Sequence, residues 1–161
     1  MNRRSFLLVA TGLVGSAIMP HFLAKAAGTG TGFEVTLSEA EWRARLTPAQ
    51  FDVLRKHGTE RAGSSALDKE HRKGIYACAG CDLPLFDSAA KFDSGTGWPS
   101  FTAPLEGAVG TSKDRTLLLF VRTEVHCRRC GGHLGHVFED GPQPTGLRYC
   151  MNVVALKFLP G

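Results

Sequence analysis

The stretch HCRRCGGHLGHVF, at residues 126–138, decides the fold. Its pair Cys127-Arg128-Arg129-Cys130 repeats the spacing of Cys78-Ala79-Gly80-Cys81, with 45 residues between the two pairs. Each pair offers two thiolates from one tight turn, and glycine at position 80 is expected to permit the first turn. Two such knuckles match a structural zinc site with four sulfur ligands and no open coordination position. We therefore expect one Zn²⁺ that stiffens the domain, held by Cys78, Cys81, Cys127 and Cys130.

The same four cysteines allow other arrangements. In an oxidising compartment they could form two disulfides. Either knuckle could instead be a thioredoxin-type redox pair, although neither follows a strand and opens a helix in a βαβ unit. His126 and His133 flank the second pair, and either imidazole could replace a thiolate ligand.

Cys150 is the fifth cysteine and has no partner in the spacing pattern. In the predicted strand at 147–152, the side chains of Arg148, Cys150 and Asn152 share one face. A guanidinium beside a thiol lowers the thiol pKa and favours the nucleophilic thiolate. An isolated cysteine is more often a buried structural residue, but an arginine on its face argues against a dry core. We predict that Cys150 is a reactive thiol.

Two histidines in the opening stretch are candidates to assist this thiol. His133 and His136 would face opposite ways on a regular strand, and a bulge at Gly135 would bring them to one side. Imidazole can donate a proton near neutral pH. An oxygen that leaves sulfur must be protonated first, so a thiolate beside two histidines fits the reduction of an oxidised sulfur.

Composition and periodicity predict one mainly β domain. The 161 residues include 19 glycines and 8 prolines, which imply many turns and short elements. Capping signals predict two short helices, at 39–45 and from Pro48 to a stop at Gly58. A polar surface loop is expected at 58–73, and a glycine-broken aromatic loop at 92–101 in which Trp98 can form a pocket wall. The remaining apolar runs predict antiparallel strands, at 74–78, 116–121, 124–127, 134–139, 147–152 and 153–159.

The amino terminus carries its own signal. Arg3 and Arg4 precede an apolar run that is too short for a stable membrane span, and small residues surround Lys25. This pattern resembles a twin-arginine export signal, which predicts a bacterial periplasmic or exported protein. The alternative is a frayed apolar tail. We divide the chain into a signal peptide at 1–26, a flexible leader at 27–37 and one domain at 38–161.

The net charge of +4 falls to +1 without the first 26 residues, which leaves 16 basic and 15 acidic residues. Nucleic-acid binding requires several uncompensated cations on one face, so the class of nucleic-acid-binding proteins is excluded. Once the signal is removed, we expect no stable membrane insertion.

Three motifs together resemble one known family. They are SGTGWPSF at 94–101, CGGHLGHVF at 130–138 and RYCMN at 148–152. In this order they are similar to the B-type peptide methionine sulfoxide reductases, over residues 38–158. One enzyme type exists for each sulfoxide epimer. The resemblance implies two antiparallel sheets of the β-tent (Mss4-like) type, with the zinc site distant from the thiol.

The resemblance also implies roles for the site residues. Cys150 attacks the sulfur of the R epimer of methionine sulfoxide in a peptide or protein and becomes a sulfenic acid. His133 and His136 bind and protonate the oxygen, and Asn152 positions these groups. The remaining substrate contacts are assigned to Trp98, Arg148 and Phe138.

Two positions depart from the family pattern. Thr96 stands where many members carry a resolving cysteine, so regeneration is expected to need an external thiol, such as a thioredoxin-like protein or a small thiol. Val153 replaces a frequent serine. We expect a monomer that repairs exported proteins. The competing hypothesis is a zinc-knuckle binding module without chemistry.

Overall fold

The computed structural model describes residues 32–115 and 121–161. The proposed signal peptide lies outside this range, as does most of the strand predicted at 116–121. The last residue of that predicted strand, Val121, is described and is 66% exposed. In the described part of the chain, neither helix is long and apolar enough to cross a bilayer.

Two short helices open the described chain, α1 (Glu39–Arg45) and α2 (Pro48–Lys56). Ser38 and Thr47 cap them, and each forms the reciprocal capping box that the sequence predicts. The end of α2 differs from the stop predicted at Gly58. His57, with φ of 57°, takes the left-handed position, and the Gly58 amide donates to the carbonyl of Asp52 at 3.1 Å.

Among the residues that the structure describes, nine strands form two antiparallel sheets, and this two-sheet arrangement is as predicted. The smaller sheet has the order β2-β1-β9, and the larger has the order β3-β4-β8-β7-β6-β5. The strands are β1 (Gly74–Cys78), β2 (Pro84–Asp87), β3 (Lys91–Phe92), β4 (Ser100–Phe101), β5 (Val109–Asp114), β6 (Arg122–Cys127), β7 (His133–Phe138), β8 (Arg148–Met151) and β9 (Leu156–Pro160). Short 3-10 turns occur at Ala66–Lys69, Ser88–Ala90 and Val153–Ala155.

Like β2 (Pro84–Asp87), strand β5 is an element that the sequence analysis did not predict. Its residues, Val-Gly-Thr-Ser-Lys-Asp, are largely polar and none of them is buried, so no apolar periodicity marks them. The strand forms because all six residues pair with β6 at the edge of the larger sheet. The aromatic loop is also shorter than predicted, because Phe92 and Ser100–Phe101 pair in β3 and β4.

The core lies between the two sheets and beneath the helices. The rings of Phe86 and Phe101 stack with centroids 4.4 Å apart, and Tyr76 meets Phe101 edge-on at 5.0 Å. These contacts join β1 and β2 of the small sheet to β4 of the large one. Leu134 and Met151 are fully buried in the same core. Burial of these aromatic rings stabilises the contact between the sheets.

Candidate active site and metal site

The four knuckle cysteines form one buried cluster. Their sulfur atoms all lie within 4.8 Å of one another. The Sγ atoms of Cys78 and Cys130 are 3.8 Å apart, and those of Cys81 and Cys127 are 3.5 Å apart. All five cysteines of the chain are free, so the alternative of two disulfides does not describe this structure. Four thiolates at this spacing repel one another, and a bound cation would relieve that repulsion.

Both knuckles share one backbone pattern. The Cys78 amide donates to the Leu83 carbonyl at 2.8 Å, and the Cys127 amide donates to the Gly132 carbonyl at 2.9 Å. In each knuckle the residue after the second cysteine is left-handed: Asp82 with φ of 60° and Gly131 with φ of 66°. The expectation that Gly80 makes the turn is therefore wrong, because its φ is not positive.

The Cys150 thiol lies at the centre of the larger sheet and is half-buried. On β8, Cys150 pairs with Ser100 of β4 on one side and with His136 of β7 on the other. It opens into a small pocket of about 130 Å³. Three of the residues predicted from the sequence line this pocket with Cys150 and His136, namely Trp98, Phe138 and Asn152.

A bulge in β7 places both histidines on the side of the thiol. Pairing with β6 steps from Gly135 to His133, so Leu134 is the extra residue. Gly135 has φ of 156°, and a Cβ there would lie 2.1 Å from the carbonyl oxygen of Cys150. Only glycine lets β7 approach β8 this closely. The rings of His133 and His136 have centroids 5.4 Å apart, as the predicted bulge requires.

Each histidine is held by a carboxylate that the sequence analysis did not identify. His133 Nδ1 lies 2.7 Å from Glu124 Oε1, and His136 Nε2 lies 2.8 Å from Asp114 Oδ2. An N–H at these positions donates to the carboxylate and sets the tautomer. His133 then presents Nε2, a buried atom without a hydrogen-bond partner among the described residues. Burial lowers the pKa of both imidazoles, so both are neutral near pH 7.

His133 borders a second cleft rather than the Cys150 pocket itself. This cleft, of about 470 Å³, is lined by His133, His136, Glu124 and several basic side chains. His136 and Arg122 line both spaces, so the two adjoin at His136. His57 also reaches this cleft, with its Nδ1 2.9 Å from Glu124 Oε1. The two predicted histidines thus differ in position, and only His136 is directly opposite the thiol.

The environment of Cys150 differs from the expected one. Burial raises the pKa of the Cys150 thiol, and the positive charge of Arg148 and hydrogen bonds with Thr96 and Ser100 oppose this shift without reversing it. Arg148 is itself engaged by both oxygens of Asp140, each at 2.8 Å. In the resting protein the thiol therefore keeps its proton near pH 7, and a neighbouring base has to remove it.

Three hydroxyl groups lie beside the thiol. Ser94 Oγ is 2.8 Å from Thr96 Oγ1 and 2.7 Å from Ser100 Oγ. Because Ser100 pairs with Cys150 across β4 and β8, this chain of hydroxyls lies against the Cys150 sulfur. The sequence places Thr96 near the thiol only through the family resemblance, since no local pattern connects the two positions.

Comparison with known proteins identifies the family of the domain. A family model for the SelR domain matches residues 46–160. The chain is 58% identical over 120 residues to a Pseudomonas entomophila protein named peptide methionine sulfoxide reductase MsrB, which covers 74% of this chain and 92% of that protein. An Agrobacterium fabrum protein of the same name is 53% identical over 131 residues, which cover 81% of this chain and 96% of that protein. A chloroplastic Arabidopsis thaliana protein named peptide methionine sulfoxide reductase B1 is 52% identical over 122 residues, which are 76% of this chain and 60% of that protein.

Proposed function

The chain belongs to the SelR domain family and is a B-type methionine sulfoxide reductase, and we propose that it reduces the R epimer of peptide-bound methionine sulfoxide with Cys150 as the nucleophile. One observation carries the assignment of the nucleophile. Cys150 opens into a pocket lined by Trp98, His136 and Asn152, and it pairs directly with His136 across β7 and β8. The four knuckle cysteines are buried and do not line this pocket.

The neutral thiol of Cys150 and the neutral imidazole of His136 support a proton transfer in which the proton taken from the thiol is later returned to the substrate oxygen. Neutral His136 accepts the proton of the Cys150 thiol, and the thiolate attacks the sulfoxide sulfur. An imidazole then returns a proton to the sulfoxide oxygen as that oxygen moves to Cys150. The thiol and the sulfoxide become a sulfenic acid and a thioether, so Cys150 is oxidised by two electrons and the substrate sulfur is reduced. In the tautomer in which Nδ1 donates to Glu124, His133 Nε2 is unpaired among the described residues and carries no hydrogen. His133 is therefore a second proton acceptor, and it can donate to the oxygen only after it has taken a proton.

Substrate fit follows from the pocket walls. The indole of Trp98 and the ring of Phe138 offer apolar surface to the sulfoxide methyl group, and the guanidinium of Arg148 stacks over Phe138 at 4.4 Å. Arg148 therefore acts through Phe138 and through its charge near the thiol. Asn152 is 4% exposed, and its side chain is fixed by two hydrogen bonds, to the Glu60 amide and the Leu134 carbonyl.

Regeneration of the thiol requires an external reductant. Two reducing thiols convert the sulfenic acid to the Cys150 thiol and water, and they leave as a disulfide. Within the chain, the other four cysteines are buried in the knuckle cluster, and position 96 holds a threonine. A thioredoxin-like protein or a small thiol would supply these electrons to the periplasmic or exported enzyme, which we expect to act as a monomer on oxidised exported proteins.

The knuckle cluster fits one Zn²⁺. Four buried sulfur atoms at mutual distances within 4.8 Å match an all-thiolate structural site. Such a site supplies rigidity rather than chemistry, because four protein ligands leave no position for substrate. Metal analysis of the purified protein should give one zinc per chain. Cys127→Ser should lower both the zinc content and the free energy of unfolding, the latter by about 4 kcal/mol or more.

The decisive test of the function uses Cys150→Ser. With dithiothreitol and separated sulfoxide epimers, the wild-type protein should reduce the R epimer, and the variant should lose this activity while it keeps the thermal midpoint of the wild type. Retained activity in the variant would contradict the assignment. The alternative of a binding module without chemistry is not favoured, since it does not account for the formed pocket at a half-buried thiol.

A further inference from the structure

Glu60 is a half-buried residue in the connection between α2 and β1, a segment that the sequence predicts as a polar surface loop. Its backbone and side chain contact two separate parts of the Cys150 pocket. On one side they meet Asn152 and the turn that follows it. On the other side the Glu60 carbonyl meets Trp98. The proposed function gives a role to both Trp98 and Asn152, so this connection concerns the fit of the substrate.

The carboxylate of Glu60 caps the 3-10 turn Val153–Ala155. The amide of Val153 donates to Oε1, and the amide of Val154 donates to Oε2 at 3.3 Å. Asn152 is the N-cap residue of this turn, yet its side chain makes no capping hydrogen bond. An asparagine at an N-cap normally accepts from the first amides of the turn with its own side chain. Glu60 takes these donors, so the Asn152 carboxamide is left to face the pocket.

The Asn152 carboxamide is then fixed in place by two backbone groups. Its Oδ1 accepts from the Glu60 amide at 3.1 Å, and its Nδ2 donates to the Leu134 carbonyl at 3.2 Å. Leu134 is the bulged residue between the two histidines. The orientation of Asn152 is therefore tied both to the Glu60 segment and to the strand that carries His133 and His136.

The same segment holds the opposite wall of the pocket. Trp98 Nε1 donates to the Glu60 carbonyl at 3.3 Å, and the Gly63 amide donates to the Gly97 carbonyl at 2.7 Å. The approach is close, because a Cβ on Gly97 would lie 2.9 Å from the Gly63 nitrogen. The loop that carries Trp98 also joins the larger sheet through the short strands at its ends and through Pro99, whose carbonyl accepts from the Met151 amide at 3.0 Å.

We propose that Glu60 is a positioning residue, which sets the separation of the Trp98 and Asn152 walls and thereby the fit of the methionine sulfoxide side chain. This inference rests on the proposed function. Glu60 does not line the Cys150 pocket and does not touch the sulfur, so its loss should weaken substrate binding while the thiol stays as reactive as before. Burial raises the pKa of the Glu60 carboxyl, in keeping with a side chain enclosed by the parts it joins.

The test compares Glu60→Ala and Glu60→Gln with Glu106→Gln, a matched change at an exposed glutamate in another loop. KM and kcat for an R-sulfoxide peptide are measured with saturating dithiothreitol, and Cys150 reactivity is measured as its rate of alkylation by iodoacetamide. Loss of charged hydrogen bonds of this kind should raise KM about tenfold in Glu60→Ala. Glu60→Gln retains an acceptor for the Val153 amide and should recover part of the loss. Glu106→Gln should match the wild type.

Alkylation rates should be equal in all four proteins. An unchanged KM in Glu60→Ala would overturn the proposal, as would a fall in kcat alone that follows the fraction of folded protein. An inactive wild-type protein in the same assay would instead contradict the proposed function, so the two failures are distinguishable.

Discussion

Protonation of single residues governs the chemistry of this site. The thiol of Cys150 has a raised pKa, while the imidazoles of His133 and His136 have lowered ones. All three shifts have burial as their largest cause, since burial disfavours each charged form. The resting site is therefore neutral at sulfur and at both rings. Under the proposed mechanism, the substrate would meet a neutral thiol with His136 as the base opposite to it, rather than a preformed ion pair.

Position 96 offers a direct test of the regeneration route. Because the Thr96 hydroxyl bonds to the Cys150 thiol, a sulfur at this position would lie within reach of the sulfenic acid. After one turnover, Thr96→Cys should form an intramolecular disulfide with Cys150, detected by mass spectrometry as a loss of two hydrogens and of reactivity toward dimedone. The wild type should instead give the dimedone adduct. Thr111→Cys, an exposed threonine on β5, is the control and should leave the dimedone adduct intact.

His133 should make stability depend on pH in a known direction. Its folded-state pKa lies below the ordinary value of 6.5, so below that pH the unfolded chain binds more protons than the folded one. The free energy of unfolding should therefore fall as the pH drops through 6.5 and should level off below the folded-state pKa. One such group contributes a slope of at most about 1.4 kcal/mol per pH unit.

Urea unfolding between pH 4 and 8 measures this slope. His133→Asn should reduce it, whereas His71→Asn, at an exposed position, should leave it as in the wild type. An equal slope in the wild type and His133→Asn would show that other groups determine the loss of stability below pH 6.5.

Among the structural elements, the bulge in β7 is the most constrained. In Gly135→Ala the new methyl would lie 2.1 Å from the Cys150 carbonyl oxygen and 3.0 Å from the Met151 Cα, so β7 and β8 must separate. Because a displacement of about 1 Å can cost about 100-fold in rate, we expect kcat/KM to fall by about that factor. Gly107→Ala is a matched control, since Gly107 also has a positive φ but has open space around it. The control should keep wild-type activity, and equal losses in both variants would contradict this explanation.

Elements with a local signal could be predicted from the sequence. The capping boxes at Ser38 and Thr47 are local, and so are the knuckle spacings and the glycine that permits the bulge. Strand β5 and the carboxylates of Asp114 and Glu124 could not be predicted, because their partners lie on neighbouring strands and no short-range pattern marks them. Glu60 was missed for the same reason, since Trp98 and Asn152 lie far from it in sequence.

At the scale of the whole molecule, the cluster of four knuckle cysteines lies where the sheets meet. Cys78 ends β1 of the small sheet, and Cys127 ends β6 of the large one. A single ion bound to both knuckles would link the two sheets across a long stretch of chain, which stabilises a domain rich in turns. The charge balance that excluded nucleic acid also concerns the whole chain and could not have been inferred from any one motif.

The proposed export signal is tested on the complete chain. Replacing Arg3 and Arg4 by lysine should leave an unprocessed precursor in the bacterial cytoplasm, because the twin-arginine pair is the recognised part of the signal. Cell fractionation and immunoblotting measure this, with the wild type recovered as a shorter chain in the periplasm. The paired change of Arg43 and Arg45 to lysine in α1 is the control and should be exported. Export of the Arg3 and Arg4 variant would contradict the assignment.

The burial of Met151 should make the enzyme more resistant to oxidants in its surroundings. This residue adjoins Cys150 in the chain, is the one methionine in the described part of the molecule, and has no exposed surface. The buried Met151 thioether is hidden from hypochlorite and peroxide and is therefore spared oxidation to the sulfoxide. A second copy of the enzyme could not repair such a sulfoxide, because a side chain in the core cannot enter the pocket of another molecule. Dose–response experiments with either oxidant should therefore consume the half-exposed thiol before this thioether, and thiol reductants should restore most of the lost turnover.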